Sequence, residues 1–472
     1  MQSWRLIRQV SRRLTWGLAD QAMSTLTNFL LSIYIARTLG ATQFGAFSLA
    51  YVTYGFAINA SRGVSIEPLL IRFSGTVLPT WRRATAASTG TALLVGLILG
   101  TCALVGGLLI GGTTGLAFVA LGLTLPGLML QDSWRYAFFA VGRGHQAFIN
   151  DTVWAVVQIP ALVLLRLTGH SNVFWFVFAW GIAATVGAAV GPLQAGVMPK
   201  LAGSAAWLSR HRDLGPRYVL ENTGGNASGT LQSYAVSYIL GLAAVGYIQA
   251  SNVLMGPIRI VFLGISLITL PEAARLLRRS PHRLPLFCAV VSAGSTLLAL
   301  AWGAFLLVAL PRGLGHVMLG SLWRPTYPLV VPATLTMMAG CVTTGALLGM
   351  HAMGAARRSL RAVVGTAALT LSGALTGAVI GGTLGTMRFA AVGAWLGTLL
   401  FWWQLRQSVH ESKTVSVPGW LWPRRSEKSH SRSATDSGDL PPRRHSPYHR
   451  GTLGALLYGF PGQAQRVIGN AR

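Results

Sequence analysis

The sequence predicts an all-α, polytopic membrane protein of about twelve transmembrane helices, in two six-helix lobes with both termini cytoplasmic. Three observations carry this reading. Of the 472 residues, 52% are hydrophobic and only 10% charged, whereas charged residues make up about a quarter of a soluble domain. The apolar residues fall in repeated runs near 20 residues, the length at which a helix crosses a bilayer. Arginines crowd into every second loop, as they do in cytoplasmic loops.

The runs of the first half cover 14–36, 44–66, 84–111, 115–140, 147–168 and 173–196. Those of the second cover 218–240, 245–270, 284–309, 327–350, 361–383 and 387–407. They divide the chain into a lobe over 1–200, a cytoplasmic linker over 201–217 and a second lobe over 218–408. The first run follows Arg5, Arg8, Arg12 and Arg13, like a secretory signal. It is too long for one and no small-residue cleavage site follows, so it reads as a retained span. Glycine inside the runs suits close helix packing in lipid.

Orientation rests on the basic clusters. They recur at Arg72/Arg82/Arg83, Arg143, Lys200/Arg210/Arg212/Arg217, Arg275/Arg278/Arg279/Arg283 and Arg357/Arg358/Arg361. The alternate loops hold only Arg37, Arg312 and Arg324, and Arg388.

A repeat relates the halves. Shifted by about 200 residues without a gap, Asp20 falls on Glu221, Leu39-Gly40 on Leu240-Gly241 and Gly45 on Gly246. Gly63 then falls on Gly264, Ser65 on Ser266 and Leu69 on Leu270. The acid pair and the Leu-Gly-x-x-x-[Phe/Val]-Gly turn are the specific part of this match.

The net charge of +27 does not make a nucleic-acid protein, because the basic residues lie in short clusters between apolar runs and in the tail, not on one face. Residues 409–472 hold ten Lys/Arg against four Asp/Glu and read as a basic, disordered cytoplasmic tail. The alternative for it is contact with anionic lipid. Cys102, Cys288 and Cys341 lie in apolar runs as small hydrophobes. No phosphate-binding Gly-x-x-x-x-Gly-Lys-[Ser/Thr] loop, metal-ligand spacing or long external loop occurs. The sequence therefore implies no enzyme, no cofactor and no metal.

What remains is charge inside the spans, which is functional by default because a bare charge in hydrocarbon costs several kcal/mol. Arg62, Arg135 and Arg259 are the candidates for holding an anionic headgroup in a cavity. Asp20, Asp132, Asp151 and Glu221 are the candidates for ion coupling or gating. Each has a structural alternative. Arg62 and Arg135 are near enough to the interface to snorkel. Asp132 and Arg135, one turn apart, can neutralise each other. Asp20 and Glu221 can cap helix starts.

Several stretches resemble a known family. Trp16-Gly-Leu-Ala-Asp20-Gln-Ala and Ile35-Ala-Arg37-Thr-Leu-Gly-Ala-Thr-Gln-Phe44-Gly resemble the first two helices of polysaccharide-biosynthesis membrane proteins. These are the oligosaccharide flippases of the multidrug/oligosaccharidyl-lipid/polysaccharide exporter superfamily. Gln131-Asp132-Ser-Trp134-Arg135-Tyr136 and Asp151-Thr-Val-Trp154 resemble the family's fourth-to-fifth helix passage. Gly256-Pro257, Leu270-Pro271-Glu272 and Leu319-Gly320-Ser-Leu-Trp323 are similar to later stretches of the family.

The resemblance implies two lobes around a cavity and alternating access to a lipid-linked sugar, which passes from the cytoplasmic to the outer leaflet of the cell membrane. It implies lipid and polysaccharide-assembly enzymes as partners. Asp20, Arg135 and Asp151 lie inside its motifs; Arg62, Glu221 and Arg259 are added from depth and repeat position. Competing readings are a multidrug/cation antiporter on the same fold, a major-facilitator-type transporter and an integral-membrane polysaccharide polymerase. The facilitator's Gly-x-x-x-Asp-[Arg/Lys]-x-Gly-[Arg/Lys]-[Arg/Lys] loop is replaced here by Arg72-Phe-Ser-Gly-Thr-Val-Leu-Pro-Thr-Trp-Arg82-Arg83.

The topology has a direct test. Reporter fusions after Arg83, Arg212, Arg283 and Arg361 are all expected to report cytoplasm. One external signal among them breaks the alternation and the span count with it.

Overall fold

In hydrocarbon every backbone polar group needs an internal partner, which leaves helices as the simplest way to cross. The structure, a computed structural model, describes residues 2–414, and among these it contains helices and turns but no strand. From residue 415 onward the expected basic tail lies outside the described residues.

The order begins with α1 (Gln2–Thr38) and α2 (Ala41–Ser61), then a π-helical turn (Arg62–Ile66) that runs into α3 (Glu67–Phe73). Next come α4 (Leu78–Ile110), α5 (Gly112–Ala140), α6 (Gly144–Leu167) and α7 (Val173–Ala195). The short α8 (Ser204–Arg210) leads to α9 (Gly215–Leu240), α10 (Leu242–Leu254), α11 (Gly256–Arg279) and α12 (Leu284–Ala309). Two short helices, α13 (Gly315–Leu319) and α14 (Trp323–Thr326), precede α15 (Val330–Ala352) and α16 (Ala356–Thr414). Six helical stretches among the described residues are long and apolar enough to cross a membrane: α4, α5, α6, α7, the stretch from Leu284 to Ala352, and Arg357–His410.

Several boundaries differ from the expected spans, each for a local reason. α1 begins at Gln2, so its helix takes in the arginine-rich segment and Asp20 lies near its middle. Pro68 does not end the second span, because it occupies the first turn of α3, where its missing N–H costs no hydrogen bond. The expected span 245–270 is broken at Met255, and Pro257 starts the second piece in the same way. α16 reverses direction at Gly381–Gly382, where Gly382 has φ 58°, a conformation that L side chains rarely adopt.

Small residues let the helices meet. A Cβ added at Gly100 would press on the Gly122 carbonyl of α5. One at Gly345 of α15 would press on α12 at Cys288 and Ser292, and one at Gly393 would press on Leu369 across the α16 reversal. This is the close backbone approach expected of glycine-rich helices in lipid.

The contact between the chain's halves has a form of its own. A Cβ on Gly45 of α2 would strike the Leu242 carbonyl at the start of α10, and a Cβ on Gly246 would strike the Ala41 carbonyl at the start of α2. Gly45 and Gly246 are matched in the repeat, and Ala41 and Leu242 stand one turn before them in each copy. The crossing is thus reciprocal, the signature of a two-fold relation between the pieces in contact. Nearby, the Arg37 guanidinium donates to the Val317 carbonyl at 3.1 Å, and Phe29 of α1 lies against Gly256 of α11.

From this crossing to the far end of α2, α9 follows α2 rather than standing apart from it. A Cβ at Gly63 would overlap Val219, Tyr234 and Thr53 share a hydrogen bond of 2.5 Å, and Val236 is buried with Leu49 and Phe118. The helix that opens the second half is therefore seated on the first.

Candidate functional site

Five of the seven charges singled out from the sequence converge in the first half. Arg62, the first residue of the π-helical turn, grips Asp132 of α5 with two parallel hydrogen bonds, Nε to Oδ2 at 2.8 Å and Nη2 to Oδ1 at 2.7 Å. Its guanidinium also lies 4.9 Å from the centre of the Tyr136 ring. Arg135, one turn along α5, donates from Nε to Asp20 Oδ2 of α1 at 2.6 Å and from Nη2 to Gln21 Oε1 at 3.3 Å. Its Nε is also 3.6 Å from Asp151 Oδ2 of α6.

The i,i+3 pair Asp132/Arg135, an alternative weighed from spacing, is therefore not the pairing the fold adopts. Each member is matched across helices. Asp20 is wholly buried and lies eighteen residues into α1, so it caps no helix start. Arg135 is also buried, which removes snorkelling as its explanation.

Amides extend the cluster. Gln131 Nε2 donates to Asp151 Oδ1 at 2.7 Å and to Asn150 Oδ1 at 3.2 Å. Asn150 Nδ2 donates to the Gly187 carbonyl at 2.8 Å and to Gln194 Oε1 at 3.1 Å. Gln131, Asn150 and Gln194 were not among the candidate site residues read from the sequence, although each is a polar residue inside an apolar run. Two oxygens are left over: Asp20 Oδ1 and Asp151 Oδ2 have no hydrogen-bond partner among the described residues.

The π turn explains how Arg62 reaches Asp132. A π turn adds one residue to the helix and frees backbone carbonyls, and such turns recur at functional sites. Here the Val64 carbonyl accepts from the Trp207 indole at 3.1 Å, and the Ser65 carbonyl accepts from Ser88 Oγ at 2.8 Å. Trp207 belongs to α8 in the linker, which is held again where Arg72 pairs with Asp213 at 2.7 Å. The linker thus props the segment that carries Arg62.

Arg259 and Glu221 are not part of this cluster. Arg259 is exposed, and its hydrogen bond is to Asn252 Oδ1 at 3.4 Å; it makes no ion pair among the described residues. It stands one turn beyond Gly256, on the face of α11 that meets α1. Glu221 is also exposed, six residues into α9, and likewise makes no ion pair among the described residues. Close to it, Glu67 is buried and hydrogen-bonded to Asn222. The run Glu221-Asn-Thr-Gly-Gly-Asn-Ala-Ser-Gly-Thr230 is a legible signal that sequence reasoning missed: a polar stretch inside a helix otherwise fit to span.

The chain is similar to solved transporter structures. One is an inward-facing multidrug resistance MATE family transporter of the MOP superfamily, with a TM-score of 0.64 at 15% identity, covering 84% of this chain and 96% of that one. A second is an outward-facing structure of such a transporter, with a TM-score of 0.55 at 13% identity, covering 86% and 96%. A third is a MOP superfamily transporter from Pyrococcus furiosus, described as having a binding pocket of reverse polarity that suggests a different function. Its TM-score is 0.52 at 14% identity, covering 86% and 96%. No family model matches the chain, and no curated protein matches it in sequence. At this identity the likeness is one of fold: the chain has the MATE-type fold, and its long apolar helices make it an integral membrane protein.

The ion pairs predict a stability pattern. Removing one partner of a buried pair typically costs about 3–5 kcal/mol, because the other charge is left uncompensated. Arg62→Gln is expected to lower the melting temperature of the purified protein markedly, and Arg62→Met combined with Asp132→Leu to recover most of that loss. Equal losses in the single and double variants would show that the pair does not act as a unit.

Proposed function

We propose that the chain is an alternating-access transporter of the cell membrane, with twelve spans in two six-helix lobes over 1–200 and 218–408. Its substrate is a lipid-linked oligosaccharide or polysaccharide precursor, carried from the cytoplasmic to the outer leaflet. The reciprocal crossing of α2 and α10 supports the two-lobe reading, since it is what two related lobes make when they touch along their shared axis. The crossing lies at the end assigned to the outside. Further in, Arg259 stands exposed on the face turned to α1, which suits a cavity open to the cytoplasm.

The observation that carries the substrate reading is the charge left free. A sugar-pyrophosphate head is anionic and strongly hydrated, so it needs a wet cavity with fixed positive charge. Arginine suits this because its planar fork binds phosphate oxygens in pairs and keeps its charge when buried. Arg62 and Arg135 already spend that capacity on carboxylates, which leaves Arg259 to meet the phosphate. Arg259→Gln is expected to stop surface-polysaccharide export at unchanged protein level, with lipid-linked precursor accumulating on the cytoplasmic leaflet. The antiporter reading is favoured by Glu221, an exposed carboxylate without an ion pair among the described residues. Normal polysaccharide in Arg259→Gln, together with lost resistance to cationic drugs in Glu221→Gln, would decide for it.

The coupling ion follows from counting charge. Three carboxyls, Asp20, Asp132 and Asp151, face two guanidiniums, Arg62 and Arg135. Asp20 and Asp151 both lie against Arg135, and each has one oxygen without a hydrogen-bond partner among the described residues. One proton shared between them balances the cluster and satisfies both oxygens. Asp151→Asn is expected to keep the fold, since its amide can donate where the proton sat, but to uncouple transport from the proton gradient. Export that remains equally sensitive to a proton ionophore in this variant would remove the proton from the mechanism.

A further inference from the structure

A groove of about 690 Å³ lies between the first turns of α15 and the second limb of α16, lined entirely by residues of the second half. Pro332 and Leu335 form one wall, and Val392, Leu396 and Leu399 form the other. All but Pro332 are large apolar side chains with much of their surface exposed, as expected where lipid is the solvent. The one charged side chain in the lining is Arg388. It is exposed and makes no hydrogen bond or ion pair among the described residues.

The depth of these residues is informative. Arg388 is six residues past the Gly382 reversal, roughly 9 Å along the helix at 1.5 Å per residue. Leu399 lies about 16 Å deeper by the same measure. The groove is therefore about one leaflet long, against a hydrocarbon core of about 30 Å. Its cation is at the headgroup end and its apolar track runs toward the midplane. A cation held in such a place needs an anion or a route to water.

We propose that this groove binds one anionic phospholipid of the outer leaflet. The phosphate accepts paired hydrogen bonds from the Arg388 guanidinium. One acyl chain lies along Leu335, Val392, Leu396 and Leu399. A zwitterionic lipid offers the same tail, but its phosphate is offset by its own ammonium, so charge gives the selectivity. The inference rests on the membrane reading and on the outer placement of this end, and it is independent of which substrate is carried.

The test is native mass spectrometry of the purified full chain titrated with phosphatidylglycerol or phosphatidylcholine. The parent is expected to retain phosphatidylglycerol preferentially. Arg388→Gln should weaken that retention about tenfold or more, the scale of a lost charge-assisted pair, and bring the two lipids level. Val392→Trp, which fills the groove, should reduce retention of both. Arg166→Gln, an exposed arginine at the end of α6 and in neither site, serves as a control and should leave retention unchanged. Should Val392→Trp fail to fold, Arg388→Gln alone decides, since its side chain is exposed. Equal retention of the two lipids by the parent, or unchanged preference in Arg388→Gln, overturns the proposal. So does a groove that retains only a polyprenyl phosphate, which would make it part of the substrate path.

Discussion

A carboxylate buried among helices must find a cation or a proton, and the first half of this molecule is arranged around three that do. Asp20 on α1, Asp132 on α5 and Asp151 on α6 are served by Arg135 on α5 and by Arg62 on the π turn after α2. Four helical rods are thereby held at fixed rotations about their axes, because turning any one of them by a residue would leave a bare charge in a medium of low dielectric. Hydrophobic contacts tolerate such a slip in lipid, where apolar side chains are as content outside as inside. The charges do not tolerate it. Apolar packing sets which helices are neighbours, and the ion pairs set how each one faces.

The same logic shows where reading the sequence succeeds and where it stops. Asp20, Arg62, Asp132, Arg135 and Asp151 are conspicuous in a linear reading because each is a charge inside an apolar run. Their partners are not, since proximity along one helix is visible in the chain while proximity between helices depends on rotation and depth. Asp132 and Arg135 look like a pair at i,i+3 and are divided between two others. The partner of Arg62 could not be read at all, because the π turn that aims it has no sequence signature, and the carbonyls it frees are met by Trp207 and Ser88 from elsewhere. The glycine match at 45 and 246 was legible as a repeat. That the two glycines touch was not.

The linker adds a constraint of its own. Trp207 and Asp213 bind it to the first half at Val64 and Arg72, and α9 continues from there along α2. Movement of the second half relative to the first must therefore either carry α9 with the first half or bend the chain beyond it. The turn between Leu240 and Leu242 lies directly after α9, beside the reciprocal glycine crossing. A pivot there would leave the Trp207 and Asp213 contacts intact.

The repeat also sharpens the difference between the halves. Glu221 stands in the second half where Asp20 stands in the first, yet Asp20 is wholly buried against Arg135 and Glu221 is exposed without an ion pair among the described residues. Two copies of one architecture have thus been given opposite electrostatic roles. In the first, charge is spent internally, which makes that half stiff and leaves little field for a ligand. In the second, Arg259 and Glu221 make no ion pair among the described residues, so under the proposed function an ion or headgroup entering between the halves meets its strongest partners there. For alternating access this is a workable division. Under the proposed function, the first half with α9 is the surface against which the rest of the second half rocks, and a ligand shifts the balance by bridging Arg259 on the moving part and Glu221 on the fixed part, because only interactions that differ between the two states can shift their populations.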